Sequence, residues 1–145
     1  MKIRDVMTSD PVCCTPEDTA QKVATMLRDQ DIGSAPVVLD QQSHRLVGII
    51  TDRDLCYGLI AAGLDPRTTT IERFVTLNPV TCRDGENINE CETLMQQHRV
   101  RRIPVVDGEG ICIGIVSQSD LALHEKAEKV SKTLAEISKR IPHAA

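Results

Sequence analysis

Aromatic side chains are almost missing from this chain: Tyr57 and Phe74 are its only two, and it has no tryptophan. The core must therefore be aliphatic, and a bound base would find few rings to stack on. No apolar run reaches the length of a membrane span, and residues 1–10 lack the hydrophobic stretch of a secretory signal. A cytoplasmic protein with no membrane partner is the expectation. Positive charge is not in excess either. The formal net charge is −4, which disfavours nucleic acid as a partner. The six cysteines (Cys13, Cys14, Cys56, Cys82, Cys91 and Cys112) include no Cys-x-x-Cys pair, which excludes a zinc ribbon or a thioredoxin-type motif. Each lies in or beside an apolar run, where a reduced thiol packs as a small hydrophobe. A disulfide or metal site drawing on Cys13 and Cys14 is the alternative. Catalytic signatures are missing too: there is no G-x-S-x-G, no G-x-x-x-x-G-K-[ST], and no H-x-x-x-H among His44, His98, His124 and His143. The chain is not expected to be an enzyme.

What the chain does contain is itself, twice. Shifted by 68 positions, Ile3 falls on Ile71, Thr8 on Thr76, Pro11-Val12 on Pro79-Val80, Cys14 on Cys82, and Pro36-Val37-Val38 on Pro104-Val105-Val106. After a two-residue deletion in the second copy, Gly48-Ile49-Ile50-Thr51 matches Gly114-Ile115-Val116-Ser117, and Asp54-Leu55 matches Asp120-Leu121. This is a duplication with one indel in a loop.

Each copy reads β-α-β-β-α. Pro11–Cys14 and Pro79–Cys82 are short and β-like. Thr15-Pro16-Glu17-Asp18 then offers an N-cap, a proline at the first helical position and an acidic third residue. Ala20, Val23, Ala24 and Leu27 follow on one helical face, as Ile88, Cys91, Leu94 and Met95 do in the second copy. Strands are expected at 36–39 and 46–50, and again at 104–106 and 111–116. Second helices start at Thr51 and Ser117, with Leu55, Leu59 and Ile60 lining the first. The fold class is α+β, with two packed sheets and flanking helices. Residues 1–66 form the first repeat, 67–123 the second, and 124–145 a helical tail on one compact module. A single long helix over 121–141 is expected, carrying Val130, Leu134, Ile137 and Ile141 on one stripe.

Gly48-Ile49-Ile50-Thr51-Asp52-Arg53-Asp54-Leu55 and Gly114-Ile115-Val116-Ser117-Gln118-Ser119-Asp120-Leu121 both resemble the G-x-x-[ST]-x-x-D signature that closes a CBS domain. Ser34-Ala35-Pro36-Val37-Val38 and Arg101-Arg102-Ile103-Pro104-Val105-Val106 resemble the same family's approach to its middle strand. The resemblance spans residues 3 to about 123. With Ala61-Ala62-Gly63-Leu64-Asp65-Pro66 it is nearest to short stand-alone pairs of the hypoxic-response type. It implies a tandem CBS pair, or Bateman module: regulatory, assembled as a homodimer, and binding AMP, ADP, ATP, NAD or S-adenosylmethionine as a regulatory ligand, with no obligatory cofactor.

A ribose offers two adjacent hydroxyls, and one carboxylate can accept from both. By the resemblance, Asp54 and Asp120 hold ribose, and Thr51 and Ser117 contact ribose or phosphate. The backbone around Ala35 and Ile103 reads the adenine edge beside Cys13 and Thr81. Free N–H groups at the two helix starts favour phosphate, and Arg53, Arg101 and Arg102 are the basic side chains placed to serve it. The competing reading of Thr51-x-x-Asp54 and Ser117-x-x-Asp120 is a pair of capping boxes that need no ligand. The expected function is an adenosyl-ligand sensor that signals to a protein effector by changing shape. Its rival is a structural or interaction protein with degenerate sites, steadied by disulfide or metal.

Overall fold

The computed structural model describes residues 1–139. The elements run β1 (Thr8–Ser9), α1 (Ala20–Gln30), β2 (Ser34–Val38), β3 (Leu46–Thr51), α2 (Asp52–Leu55) continued by a π-helical turn (Cys56–Ile60), β4 (Thr76–Leu77), β5 (Cys82–Arg83), α3 (Ile88–His98), β6 (Arg102–Val106), β7 (Cys112–Ser117), α4 (Gln118–His124) and α5 (Ala127–Ser138). They form two sheets, ordered β1-β7-β6-β5 and β2-β3-β4. The fold is α+β, as the repeat pattern predicts.

The chain divides into two compact units that do not follow the repeat boundaries. One comprises residues 1–9, 80–106 and 113–139; the other comprises 10–79 and 107–112. Each repeat has given its leading segment to the unit built mostly from the other repeat. In the 10–79 unit, β4 pairs antiparallel with β3, Gly48 opposite Leu77 and Ile49 opposite Thr76. In the other unit, β1 pairs antiparallel with β7, Ser9 opposite Gly114. These strands are too short to show in a hydrophobic pattern; the β-like readings at Pro11–Cys14 and Pro79–Cys82 follow them and end on residues that do pair, Cys14 bridging to Val37 and Cys82 opening β5 against β6.

The same exchange caps the long helices. The N–H groups of Ala20 and Gln21 donate to the carbonyls of Thr69 and Pro66, at 2.8 and 3.0 Å. In the other unit, Ile88 N–H donates to Met1 O at 3.0 Å. Those bonds decide where α1 begins. Thr15–Asp18 has the composition of a cap but closes a turn, with Thr15 N–H donating to Asp18 Oδ2 at 2.9 Å. The N-cap is Thr19, one turn later, its side chain accepting from Lys22 N–H. Ala20, Val23 and Leu27 then face the core, and Ala24 is exposed.

Both cores are aliphatic. Val23, Val37, Ile50, Leu55, Leu59 and Ile71 centre one, with Phe74 packed against it. Ile3, Ile88, Met95, Ile103, Val105, Val116 and Leu121 centre the other. In the first, a Cβ on Gly58 would lie 2.2 Å from the Phe74 ring, so the turn after α2 accepts Phe74 only because residue 58 has no side chain. That turn winds as a π-helix, and the wider turn carries Ile60 out of the expected stripe to 72% exposure.

The expected single C-terminal helix is two. Glu125 and Lys126 are extended, and the break lets α5 lie along α3. Ile137 joins the core, Thr133 is buried and accepts from Gln96 Nε2 at 3.0 Å, and Leu134 is exposed. Ile141 lies outside the described residues. Lys129 crosses the α3–α5 seam to Glu92 at 3.4 Å, Glu125 at 3.7 Å and Asn89. Glu92 is 3% exposed, and its Oε1 has no hydrogen-bond partner among the described residues.

Two predictions follow from this packing. A Cβ at Gly48 would meet the Thr76 carbonyl oxygen at 2.6 Å and Val75 Cγ1 at 2.2 Å; at Gly114 the nearest atom is the mobile Met7 Sδ, at 2.5 Å. Gly48→Ala is expected to cost roughly 1–3 kcal/mol and Gly114→Ala less, read from urea midpoints. The second concerns Glu92. Burial raises its carboxyl above the usual range, Lys129 opposes the rise and Glu125 adds to it. A carboxyl raised on folding binds more protons in the native than in the unfolded chain. Stability therefore falls as pH climbs from the unfolded value, about 4.3, through the native one. The Tm of Glu92→Gln minus that of wild type is expected to increase between about pH 4 and about pH 7; a pH-independent offset would place the linkage elsewhere.

Candidate functional site

In each repeat a strand passes directly into a helix, and the residue at the junction is the helix N-cap. Thr51 N–H donates to Asp54 Oδ2 at 2.9 Å, and Asp54 N–H donates to Thr51 Oγ1 at 3.1 Å. Ser117 N–H donates to Asp120 Oδ2 at 2.8 Å, and Asp120 N–H to Ser117 Oγ at 3.3 Å. The Ser117 hydroxyl also donates to Asp120 Oδ2, at 3.0 Å. Both are complete capping boxes. Only Oδ2 of each carboxylate is used; Oδ1 of Asp54 and of Asp120 has no hydrogen-bond partner among the described residues. All four side chains are half-buried, so the spare oxygens sit in fixed positions.

The junctions share a second device. The first helical N–H, from Asp52 or Gln118, donates to the carbonyl of Gly33 or Arg101, at 2.9 Å in both. In α2, Arg53 N–H is taken as well, by Asp52 Oδ1 at 2.8 Å. With Asp54 N–H in the cap, the first three amides of α2 are all satisfied, and Asp52 and Asp54 make its first turn acidic. This corrects the expectation of open amides for phosphate at that helix start. Any anion there would have to be met by side chains.

Ala35 lies opposite Ile50, and Ser34 opposite Thr51, so Ala35 is one residue from the first junction. Ala35 and Ile103 are fully buried; their backbone edges alone can face a ligand. Arg53 is exposed, its guanidinium 5.8 Å from the centre of the Tyr57 ring, a cation–π distance. Tyr57 stands out in the sequence only as an aromatic and not as a site residue; its i+4 spacing from Arg53 on a helix is the signal that places it here. In the other unit, Arg101 is exposed and Arg102 half-buried at the start of β6. Thr81 precedes Cys82, which pairs with Val105, two residues beyond Ile103.

Cys13 precedes Cys14, which bridges in parallel to Val37, so Cys13 lies level with Pro36, two residues along β2 from Ser34 at the Thr51 junction, roughly 7 Å. It is 7% exposed, its thiol donates to Pro11 O at 3.3 Å, and it packs with Val38 and Cys112. A shallow recess beside α3, lined by Glu86, Asn89, Glu90, Thr93 and Leu94, contains none of the candidate residues.

Comparison with known proteins gives concordant results. A 145-residue chain that is 38% identical over 138 residues to uncharacterized protein YlbB of Bacillus subtilis shares 94% of its own length and 91% of that protein's. Hypoxic response protein 1 of Mycobacterium tuberculosis is 36% identical over 121 residues, covering 83% of this chain and 82% of that one. A crystal structure of hypoxic response protein I with two coordinated zinc ions superposes with a TM-score of 0.77, at 34% identity, over 87% of this chain and all of that one. The CBS-domain pair of protein MJ0100, in complex with 5′-methylthioadenosine and S-adenosylmethionine, gives a TM-score of 0.74 at 26% identity, over 85% and 98% of the two chains. The family model for the CBS domain matches twice, at residues 3–60 and 71–126, and the two capped strand–helix junctions fall one in each match. The chain belongs to the CBS-domain family and carries two domains in tandem.

Proposed function

We propose that this CBS pair is a regulatory module that binds an adenosyl ligand (AMP, ADP, ATP, NAD or S-adenosylmethionine) and transmits its occupancy to a protein effector. The observation that carries the reading is the spare Oδ1 on Asp54 and on Asp120. Each capping box fixes one carboxylate oxygen and leaves the other to accept from ribose hydroxyls, a charge-assisted bond. Thr51 and Ser117 stand beside them, the backbone at Ala35 and Ile103 supplies an edge for adenine, and Thr81 and Cys13 flank it less directly. Because the α2 amides are occupied, phosphate at that junction falls to Arg53, and Arg101 and Arg102 are the basic side chains for the other. The MJ0100 pair, similar over most of this chain, was solved with two adenosyl compounds, which supports the ligand class.

A regulatory role without catalysis, in the cytoplasm, completes the reading; no helix among the described residues is long and apolar enough to cross a membrane. A homodimer is part of it. Tyr57 and Ile60 after α2 are 67% and 72% exposed, and Leu123 on α4 is 79% exposed, apolar surface of the kind a second copy covers. The second reading, an interaction protein steadied by metal, draws on the zinc ions of the hypoxic response protein structure. The described residues of this chain contain no group of three or more His, Cys, Asp or Glu arranged to share a metal ion.

Thermal unfolding with the five ligands and 5′-methylthioadenosine tests the proposal. A ligand at a hundred times its Kd adds about 2.7 kcal/mol, several degrees in a chain of this size. One compound is expected to raise Tm, and Asp54→Ala or Asp120→Ala to abolish the rise. Without ligand, Thr51→Ala and Ser117→Ala are each expected to lose about 1 kcal/mol as cap deletions. Flat curves for all six compounds, with the Asp variants merely destabilised by about the same amount, would reduce the carboxylates to caps.

A further inference from the structure

Two segments far apart in sequence converge at one end of the β2–β3 ladder. On one side, residues 13–14 run beside β2: Cys14 N–H donates to Pro36 O at 3.1 Å and Val38 N–H to Cys14 O at 2.8 Å. On the other, residues 110–112 run beside β3: Leu46 N–H donates to Gly110 O at 3.0 Å and Cys112 N–H to His44 O at 2.8 Å. The register shifts between Val37 and Val38, an irregularity that bends a strand. There Cys13 and Cys112 close over Val38 and Leu46 in a small apolar cluster, the Cys13 thiol donating to Pro11 O at 3.3 Å. Gln41 Nε2 fixes the Cys13 carbonyl at 2.8 Å. All of these residues lie in one compact unit.

We propose that Cys13 and Cys112 are an oxidisable dithiol that closes to a disulfide by exchange with a small disulfide such as oxidised glutathione. Two thiols lose two protons and two electrons, one protein S–S bond forms, the S–S bond of the oxidant breaks, and two small thiols leave. The first attack is slow, because the neighbouring Cys112 thiol, with burial, pushes the Cys13 thiol far above the usual range and only a thiolate attacks. The second is fast, because the resolving cysteine packs in the same cluster. The bond would pin the start of β7, the strand that ends at Ser117, to the segment ahead of α1. The inference does not depend on nucleotide binding.

A second thiol pair, Cys82 with Cys91, provides an internal control. Those side chains also share one core cluster, but at 2% and 0% exposure they are enclosed, whereas Cys13 and Cys112 retain 7% and 4%. Cys56, which is exposed, is removed by Cys56→Ser to prevent links between copies. This variant is incubated folded with oxidised glutathione, or unfolded and refolded in a glutathione redox buffer so that access no longer limits reaction. Alkylation and peptide mapping follow. The expected product joins the Cys13 and Cys112 peptides with loss of two hydrogens. It is absent in Cys112→Ser, is reversed by reductant, and raises Tm by roughly 5 °C or more, because the bond closes a long loop. Recovery of Cys13 and Cys112 as separate alkylated thiols after both treatments overturns the proposal, as does a Cys82–Cys91 link in their place.

Discussion

The exchange of leading segments between the repeats is the constraint on which the rest depends. Residues 66–70 satisfy the first amides of α1, and residues 1–3 do the same around the start of α3. β4 and β1 then lie so close to β3 and β7 that neither Gly48 nor Gly114 could carry a side chain without displacement. A repeat cut out at its sequence boundaries would leave helix amides unpaired and a sheet edge bare. The duplicated unit is therefore a unit of sequence, and the folded unit is a composite.

From this follows the geometry of the candidate site. The glycine of each G-x-x-[ST]-x-x-D motif serves strand packing. Four residues on from Gly48, Asp52 N–H bonds Gly33 O, and the same bond from Gln118 to Arg101 O recurs after Gly114. The capping box sits on that scaffold. Capping and ligand recognition are thus not rivals: the cap occupies one carboxylate oxygen and in doing so orients the other. The same economy of donors makes the α2 start a poor phosphate site, since its amides are spent and its first turn is acidic. The burden of any phosphate moves to arginines, which differ between the two repeats and give the halves unequal chemistry.

Local pattern and tertiary context disagree at identifiable places. Thr15 looked like a cap, but only Thr19 stands where residues 66–70 can meet the first amides. Ile60 matched an α-helical stripe, but the contact of Phe74 on Gly58 goes with a wider turn there. The tail was periodic enough to read as one helix, yet its buried positions are Thr133 and Ile137, set by the polar seam to Gln96, Glu92 and Asn89. The resemblance sets Cys13 beside the adenine edge, and the fold also packs its side chain against Val38 and Cys112, a contact no local pattern announces.

The sequence by itself determined the duplication, the order of strands and helices, the aliphatic core and the Thr51–Asp54 and Ser117–Asp120 pairs. All of these are written in spacing of 2 or 3.6 residues or in self-similarity, and a local signal suffices to read them. Only the tertiary structure decided which segment completes which unit, where α1 starts, how α5 turns back on α3, which oxygens of the paired aspartates stay uncommitted, and that Cys13 meets Cys112 across 99 residues of chain. Those outcomes rest on hydrogen bonds and contacts between residues distant in sequence. Such partners leave no periodic trace, because each is chosen by what the folded backbone brings within reach.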